Sequence, residues 1–447
     1  MTSLLALAPC CRAAWRPSTV SSSAAGGCGL LPPCSGPTKT GARQNQSYKA
    51  RRAPGRRRSK TKPAAMETQT SEAEKEMREW CVALPKVELH AHLNGSIRNS
   101  TLLELAKELG DKGVIVFEDV KGVIMKNDRS LPECVRLFDL FHTLTTDHDT
   151  VTRIAKEVVG DFAAENVVYL EIRTTPKNNE AKGITKRSYM NAVVKGLKSV
   201  EDVDVVINDE KLSCTPMSVL GGDTKRKKIY VRLLLSIDRH ETTSAALDTV
   251  NLAMEMKDQG VIGIDLSGNP VVGEWETYLP ALEHAKELGI PTTIHCGEVP
   301  NRKEIQAMLD FCPQRLGHVC CLDDEEWKKL KSSVIPACLP NFQDESLQVE
   351  ICLTSNVMTG GTPSLELHHF ADLYNTKHPL SICTDDSGLF STSLSNEYYL
   401  AASTFGLSKT ELFRLAQGAV EFVFADDEVK KSLRAVFERA AAERLTS

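Results

Sequence analysis

The stretch Pro85-Lys86-Val87-Glu88-Leu89-His90-Ala91-His92-Leu93-Asn94-Gly95-Ser96 is a short apolar run that ends in two histidines spaced two residues apart. Side chains on a strand alternate faces, so His90 and His92 point one way and Ala91 the other. Two imidazoles on one face of a strand end are half of a metal site. A lone pair of this kind is equally a pair of ordinary hydrogen-bonded strand histidines, so its meaning depends on what the rest of the chain brings to it. The Leu93-Asn94-Gly95-Ser96 segment supplies turn residues and sets a polar amide two residues past the second histidine.

Seven further runs rich in Val, Ile and Leu follow, separated by segments of helical length: Val167–Pro176, Lys228–Arg239, Val261–Gly268, Pro291–Glu298, Arg315–Cys320, Gln348–Asn356 and His378–Asp386. Eight strands alternating with helices predict an α/β protein built as a (β/α)8 TIM barrel. The alternative, an open doubly wound sheet, calls for a glycine-rich phosphate loop after an early strand, and no GxGxxG or GxxxxGK[ST] follows any run. Polar residues strengthen the barrel reading. The runs finish in His90/His92, Thr174/Thr175/Lys177, Asp238, Asp265/Gly268, His295/Glu298, His318, Ser355/Asn356 and Asp385/Asp386, and a barrel gathers such ends at its C-terminal mouth, where active sites form.

Between the runs, 102–109, 245–256 and 278–288 show helical apolar spacing, with Gly110, Gly260 and Gly289 as stops. Residues 408–416 and 427–442 read as closing helices, and 202–226 as an inserted surface loop. The net charge of −5 conceals a division: residues 1–65 hold twelve Lys or Arg and no Asp or Glu, so the leader carries +12 and the body −17. The leader is rich in Ser, Ala, Gly, Pro and Arg and has too little periodic apolar content for a core. It is excluded from the fold, leaving 66–447 as a single domain. Its composition reads as a chloroplast or mitochondrial transit peptide. The Arg56-Arg57-Arg58-Ser59-Lys60 run as a nuclear or nucleic-acid patch, and a cytoplasmic product starting at Met66, are the competing readings. No run of 18 apolar residues is present, so no membrane span is expected. Ten body cysteines without a CxxC point to free thiols in a reduced compartment, and the acidic body argues against binding a nucleic-acid polymer.

His90, His92, His295 and Asp385 together offer three imidazoles and a carboxylate, a donor set suited to one zinc ion that acidifies its bound water. In His295-Cys296-Gly297-Glu298 a glycine turn separates a ligand from an acid that can act on substrate without ligating. His318 either orients or deprotonates the water, or is a core histidine. Asp385 and Asp386, adjacent at a strand end, divide between metal and substrate, with helix capping the competing role for Asp386.

His90-Ala91-His92, His295-Cys296-Gly297-Glu298, Gly317-His318, Ser355-Asn356 and Thr384-Asp385-Asp386, in this order, resemble the adenosine and AMP deaminases of the metal-dependent amidohydrolase type, from Pro85 to about Phe437. Within that family the chain is most similar to the adenosine deaminase-like branch, with a plant-like extension. The resemblance implies one zinc per chain on His90, His92, His295 and Asp385. It also implies Glu298 as the acid that protonates the purine at N1, and His318 with Asp385 orienting hydroxide. Asp386 would hold N7 and the Gly268 backbone the base, with His92, His142 and Asp238 also at the substrate. The expected reaction converts N(6)-methyl-AMP to IMP and methylamine. Adenosine, adenine or AMP deamination and a catalytically inactive nucleotide sensor are the alternatives, and a monomer is expected.

One departure is informative: nucleoside deaminases resemble HxHLDGS at the first strand end, whereas this chain has Asn94. A carboxylate there would repel a 5′-phosphate and an amide can donate to it. Thr174-Thr175-Pro176-Lys177 adds two hydroxyls and an ammonium for the same group. The small-molecule partner expected is therefore a purine nucleotide.

Overall fold

Strand β2 (Val167–Thr174) is buried at every position, as a parallel strand must be when helices cover one face and a filled interior the other. It pairs with β1 (Lys86–His92) and with β4 (Lys228–Asp238); β5 (Val261–Ser267), β6 (Thr292–Cys296), β7 (Arg315–His318), β8 (Gln348–Ile351) and β9 (Leu380–Ile382) follow in order, all parallel. The computed structural model describes residues 71–126, 130–145, 147–208, 226–333 and 347–445. The expected leader therefore lies outside the described residues.

The barrel closes between the first and last strands. An isolated parallel bridge joins Ala91 to Asp385, with the Asp385 N–H donating to the His90 carbonyl at 2.8 Å and the His92 N–H donating to the Asp385 carbonyl at 2.9 Å. The buried Glu88 carboxylate reinforces the join, accepting from the Thr384 N–H at 3.0 Å, the Thr384 hydroxyl at 2.9 Å and the His90 N–H at 2.7 Å. The eight predicted runs are thus the eight staves of a (β/α)8 barrel.

Several boundaries depart from the sequence reading. The run expected as Gln348–Asn356 ends at Ile351, and Leu353–Met358 is a short helix, the Asn356 N–H donating to the Cys352 carbonyl. Ser355 and Asn356 therefore enter the mouth from a helix, not from a strand end. Arg315–Cys320 and His378–Asp386 are shorter strands than expected, Arg315–His318 and Leu380–Ile382; the backbone turns left-handed at His318 and Val319, at φ 68° and 50°, where the first ends, and at Asp385, at φ 63°, beyond the second. The region read as a loop, 202–226, contributes a short strand β3 (Asp204–Val206) paired with β4; its residues 209–225 lie outside the described residues. Gly110 does not stop its helix, which runs from Asn99 to Asp111. A Cβ there would stand 3.0 Å from Phe117 Cβ, so the glycine permits a close helix approach instead. Gly260 and Gly289 do sit in left-handed turns, at φ 90° and 69°.

The outer helices Thr243–Glu255, Trp275–Glu287, Lys409–Gly418 and Asp427–Leu445 fall where periodicity put them. Ahead of β1, helix Glu72–Ala83 starts from a Ser71–Glu74 capping box, which satisfies two otherwise orphaned N–H groups. Helix Leu394–Phe405 positions the mouth directly. Its buried Glu397 accepts from the Thr354 N–H at 3.0 Å, from the Thr354 hydroxyl and from Thr392, and so anchors the start of the helix that carries Ser355 and Asn356.

Burial pushes the Glu397 carboxyl up to about 7. Stability from such a group is fully present below its unfolded value near 4.3 and is lost as pH rises through 7. Two to three units correspond to roughly 3 kcal/mol. Urea unfolding of wild type should therefore lose more stability between pH 5 and 8 than Glu397→Gln does. Equal losses in the two proteins would show that Glu397 ionises freely in the folded state.

Candidate metal centre and substrate pocket

Strand alternation brings His90 and His92 to one face, as expected, and barrel closure brings Asp385 to them. Asp385 Oδ1 lies 3.4 Å from His90 Nε2 and 3.3 Å from His92 Nε2, and His295 Nε2 lies 3.0 Å from His92 Nε2. Ligands about 2.0–2.1 Å from a tetrahedral ion stand roughly 3.3 Å apart, so these spacings fit one ion. His90 Nε2 is buried with no hydrogen-bond partner in the protein, as an atom facing a metal position should be. His90, His92, His295 and Asp385 thus form a cluster able to hold a metal.

The strands below this cluster hold the imidazoles. His90 Nδ1 donates to Glu350 Oε2 at 2.6 Å, and His295 Nδ1 lies 3.1 Å from Asp265 Oδ1. Both arrangements leave Nε2 free and fix the ring, the usual outer support of a metal-binding histidine. Arg173 bridges the two carboxylates, 3.1 Å from Asp265 and 2.9 Å from Glu350, and Arg315 lies 2.7 Å from Glu350 and also pairs with Glu171. Ser236 donates to Asp265 at 2.7 Å and Thr293 to Glu350 at 2.9 Å. Burial and Arg173 oppose charge on His90, yet Glu350 and Asp385 outweigh them and lift its pKa to about 9. The position therefore favours a positive charge. Burial also opposes ionisation of Asp385, but the His90 and His92 imidazoles beside it hold its carboxyl well below the usual carboxylate range. Sequence reading names none of Glu350, Arg173, Arg315 or Glu171 as part of the site; their one signal is a charged side chain on alternate positions of an otherwise apolar strand.

Around the cluster stand the groups expected to act on substrate. Glu298 follows Gly297, whose left-handed φ of 67° turns the chain out of β6. Burial raises the Glu298 carboxyl above its ordinary value, and His295 only partly offsets this. His318 Nε2 is 4.0 Å from Asp385 Oδ2, and its Nδ1 lies 2.9 Å from the Asn356 amide nitrogen. Ser355 donates to Asp385 Oδ2 at 2.7 Å, so the Ser-Asn pair steadies two groups of the site, a role sequence spacing did not reveal. Asp386 is buried with Oδ1 unpartnered. Burial, with Asp385 and Glu298 facing it, raises its carboxyl well above the ordinary value. A Cβ on Gly95 would fall 1.6 Å from Asp386 Oδ1, so the turn after β1 needs glycine to admit this carboxyl.

A second group lies at the ends of β1, β2, β4 and β5. Thr174 and the Tyr189 hydroxyl are 2.8 Å apart, and Tyr189 donates to Asn94 Oδ1 at 3.5 Å. That contact takes the Asn94 oxygen, and nothing in the sequence near Asn94 points to Tyr189. Lys177 Nζ is buried without a hydrogen-bond partner, and burial lowers it to about 7 against the opposing pull of Asp238. Asp238 accepts from the His240 N–H at 2.8 Å. Gly268, at φ 111°, lies against it, a Cβ there standing 3.1 Å from Asp238 Oδ1. Thr175 is half-buried and Pro176 buried beside them. His142 falls on helix Leu131–Leu144, and its side chain lies outside the described residues. Among those residues no helix is long and apolar enough to cross a membrane.

A Cβ on Gly317 would stand 2.7 Å from His90 Cε1, and Glu350 holds that ring in place. Gly317→Ala should therefore weaken metal retention by tenfold or more, a loss typical of disturbed ligand support. Metal analysis after dialysis checks this, with circular dichroism showing the barrel intact. Undiminished metal content would mean that His90 does not ligate from this position.

The adenosine deaminase family model matches residues 85–439. An N6-mAMP deaminase from Arabidopsis thaliana is 61% identical over 371 residues, covering 82% of this chain and 100% of that protein. A human N6-Methyl-AMP deaminase is 37% identical over 357 residues, covering 78% of this chain and 92% of its own. Among solved structures, arabidopsis N6-mAMP deaminase superposes with a TM-score of 0.73 at 61% identity, covering 81% of this chain and 99% of that one. An arabidopsis relative complexed with IMP gives a TM-score of 0.74 at 60% identity, covering 82% and 99%.

Proposed function

The chain belongs to the adenosine deaminase family, and from that membership we propose that it hydrolyses N(6)-methyl-AMP to IMP and methylamine at a single zinc ion held by His90, His92, His295 and Asp385. The observation that carries the choice of a nucleotide is the buried, unpartnered Lys177 ammonium. Three residues before it, Thr174 is linked through the Tyr189 hydroxyl to the Asn94 amide oxygen. Together they supply positive charge and donors where nucleoside deaminases resemble a carboxylate.

Bound zinc would supply a water acidified toward neutrality. The protein's own groups do the rest. Glu298, whose carboxyl burial raises above its ordinary value, protonates N1 of the purine, which makes C6 electrophilic. Asp386, whose carboxyl burial pushes well above its ordinary value, donates a hydrogen bond to N7. Asp385 and His318 flank the attacking oxygen, and the Gly268 backbone approaches the base because no side chain intervenes. The C6–O bond forms, and the attacking oxygen gives up its proton to a carboxylate of the site, which passes it to the leaving nitrogen as the C6–N bond breaks and methylamine departs. Thr174, Thr175 and Lys177 hold the phosphate, with Asp238 and His142 nearer the sugar and base and Pro176 shaping the turn. In this reading 66–447 form the deaminase domain, and residues 1–65 are a basic leader that either directs the chain to an organelle or precedes a cytoplasmic product beginning at Met66.

Turnover of N(6)-methyl-AMP, AMP and adenosine by the purified protein decides the substrate. A kcat/KM for adenosine above that for N(6)-methyl-AMP would overturn the assignment. Glu298→Gln should retain zinc yet lose roughly 10²- to 10⁴-fold in turnover, and a near-normal rate would remove Glu298 from the proton transfer.

Lys177 adds a pH signature. Its charged form dominates below about 7 and is lost above it, while a 5′-phosphate is already largely dianionic there, its second pKa being about 6. The ratio of kcat/KM for N(6)-methyl-AMP to that for N(6)-methyladenosine should therefore fall from pH 7 to 9. Lys177→Ala should flatten that fall and lower the ratio at pH 7. A ratio indifferent to both would leave the phosphate without its proposed partner.

A further inference from the structure

Asn356 stands between two imidazoles, His318 and His368, and all three side chains are 2% exposed. The direction of the hydrogen bonds linking them decides which nitrogen of His318 carries its proton. One end of the chain has fixed polarity. The backbone N–H of Phe370 donates to His368 Nδ1 at 3.0 Å, and a peptide N–H can only donate. A neutral imidazole carries a single proton. With Nδ1 accepting, His368 carries that proton at Nε2 and donates it to Asn356 Oδ1 at 3.2 Å.

An amide whose oxygen is taken on one side presents its N–H pair on the other. Asn356 Nδ2 therefore donates to His318 Nδ1 at 2.9 Å. His318 Nδ1 is an acceptor, so its neutral ring carries the proton at Nε2, the atom that faces Asp385 4.0 Å away and has no hydrogen-bond partner in the protein. Turning the Asn356 amide over would require His368 to accept at both ring nitrogens, which only an imidazolate can do.

We propose that the Phe370 N–H, His368 and Asn356 form a relay of fixed polarity that holds His318 as the Nε2–H tautomer, with His368 and Asn356 as positioning residues. His318 then meets the attacking oxygen as a hydrogen-bond donor, and the proton of that oxygen must leave to a carboxylate. Of the two roles open to His318 from sequence, orientation is kept and deprotonation of the water is not. The consequence for turnover rests on the proposed function; the tautomer does not.

Histidine-ring ¹⁵N NMR of the full-length protein as purified reads the tautomer directly, the His318 signals being those lost in His318→Ala. Wild type should give the Nε2–H pattern. Asn356→Asp offers His318 only acceptors and should move its proton to Nδ1 or protonate both nitrogens, lowering kcat at least 100-fold with KM within threefold and metal content unchanged. His368→Leu should lower kcat about tenfold, and His368→Gln, whose amide nitrogen can reach Asn356 as a donor, should recover to within threefold of wild type. An Nδ1–H pattern in wild type, or an unaltered pattern in Asn356→Asp, overturns the relay. A tautomer that switches with no change in kcat upholds the relay and removes His318 from the proposed chemistry.

Discussion

Closure of the barrel and assembly of the metal cluster are one event, because the same residues perform both. The backbone of His90, Ala91 and His92 pairs with Asp385 to join the first strand to the last, while the side chains of His90, His92 and Asp385 converge on the ion position. The left-handed φ of Asp385 makes this possible. An extended residue there would continue the ladder and send its carboxylate out of the cluster; the turned backbone keeps the bridge and still aims the side chain at the histidines. Glu88 holds the join from inside by taking three donors, two from Thr384 and one from His90.

Below the cluster, the barrel interior is charged where many barrels are filled by branched apolar side chains. Arg173 and Arg315 stand against Glu171, Asp265 and Glu350, all fully buried or nearly so. Such groups cost much to desolvate, and a buried pair is weak evidence for stability by itself. Their value here is geometric: Glu350 and Asp265 each steady one imidazole, and the guanidinium of Arg173 keeps both carboxylates in place. The carboxylates outnumber the guanidiniums, and Asp385 adds another negative charge above them. A cation held by the four-residue cluster would offset that excess of negative charge.

Legibility from sequence followed the range of the interactions. His90 and His92 were readable because strand period 2 is a local rule, and the strands because hydrophobic runs bounded by turns are local too. Asp386, Glu298 and Asn94 are expected from their distance of a few residues from a cluster residue, and the structure places Asp386 and Glu298 beside that cluster. Glu350 was not readable, since nothing within Gln348-Val349-Glu350-Ile351 says that a histidine some 260 residues earlier will rest on its carboxylate. Asn356 was read in the right motif but on the wrong element: a short helix replaces the end of β8, and its partner His368 lies in a connecting segment with no strand or barrel periodicity. Tyr189 belongs to an outer helix, Lys186–Lys198, and only tertiary packing brings its hydroxyl to Asn94. In each case the missing information was which residues the fold would make neighbours.

The join between the first strand and Asp385 also sets a schedule for biosynthesis. Asp385 follows His92 by 293 residues, which at typical elongation rates of 5–20 residues per second is a delay of roughly 15–60 s. Throughout that interval β1 is an apolar strand with its closing edge unpaired and two histidines without their carboxylate, a template for wrong pairing. The nascent chain therefore depends on whatever shields that edge until the last strand arrives.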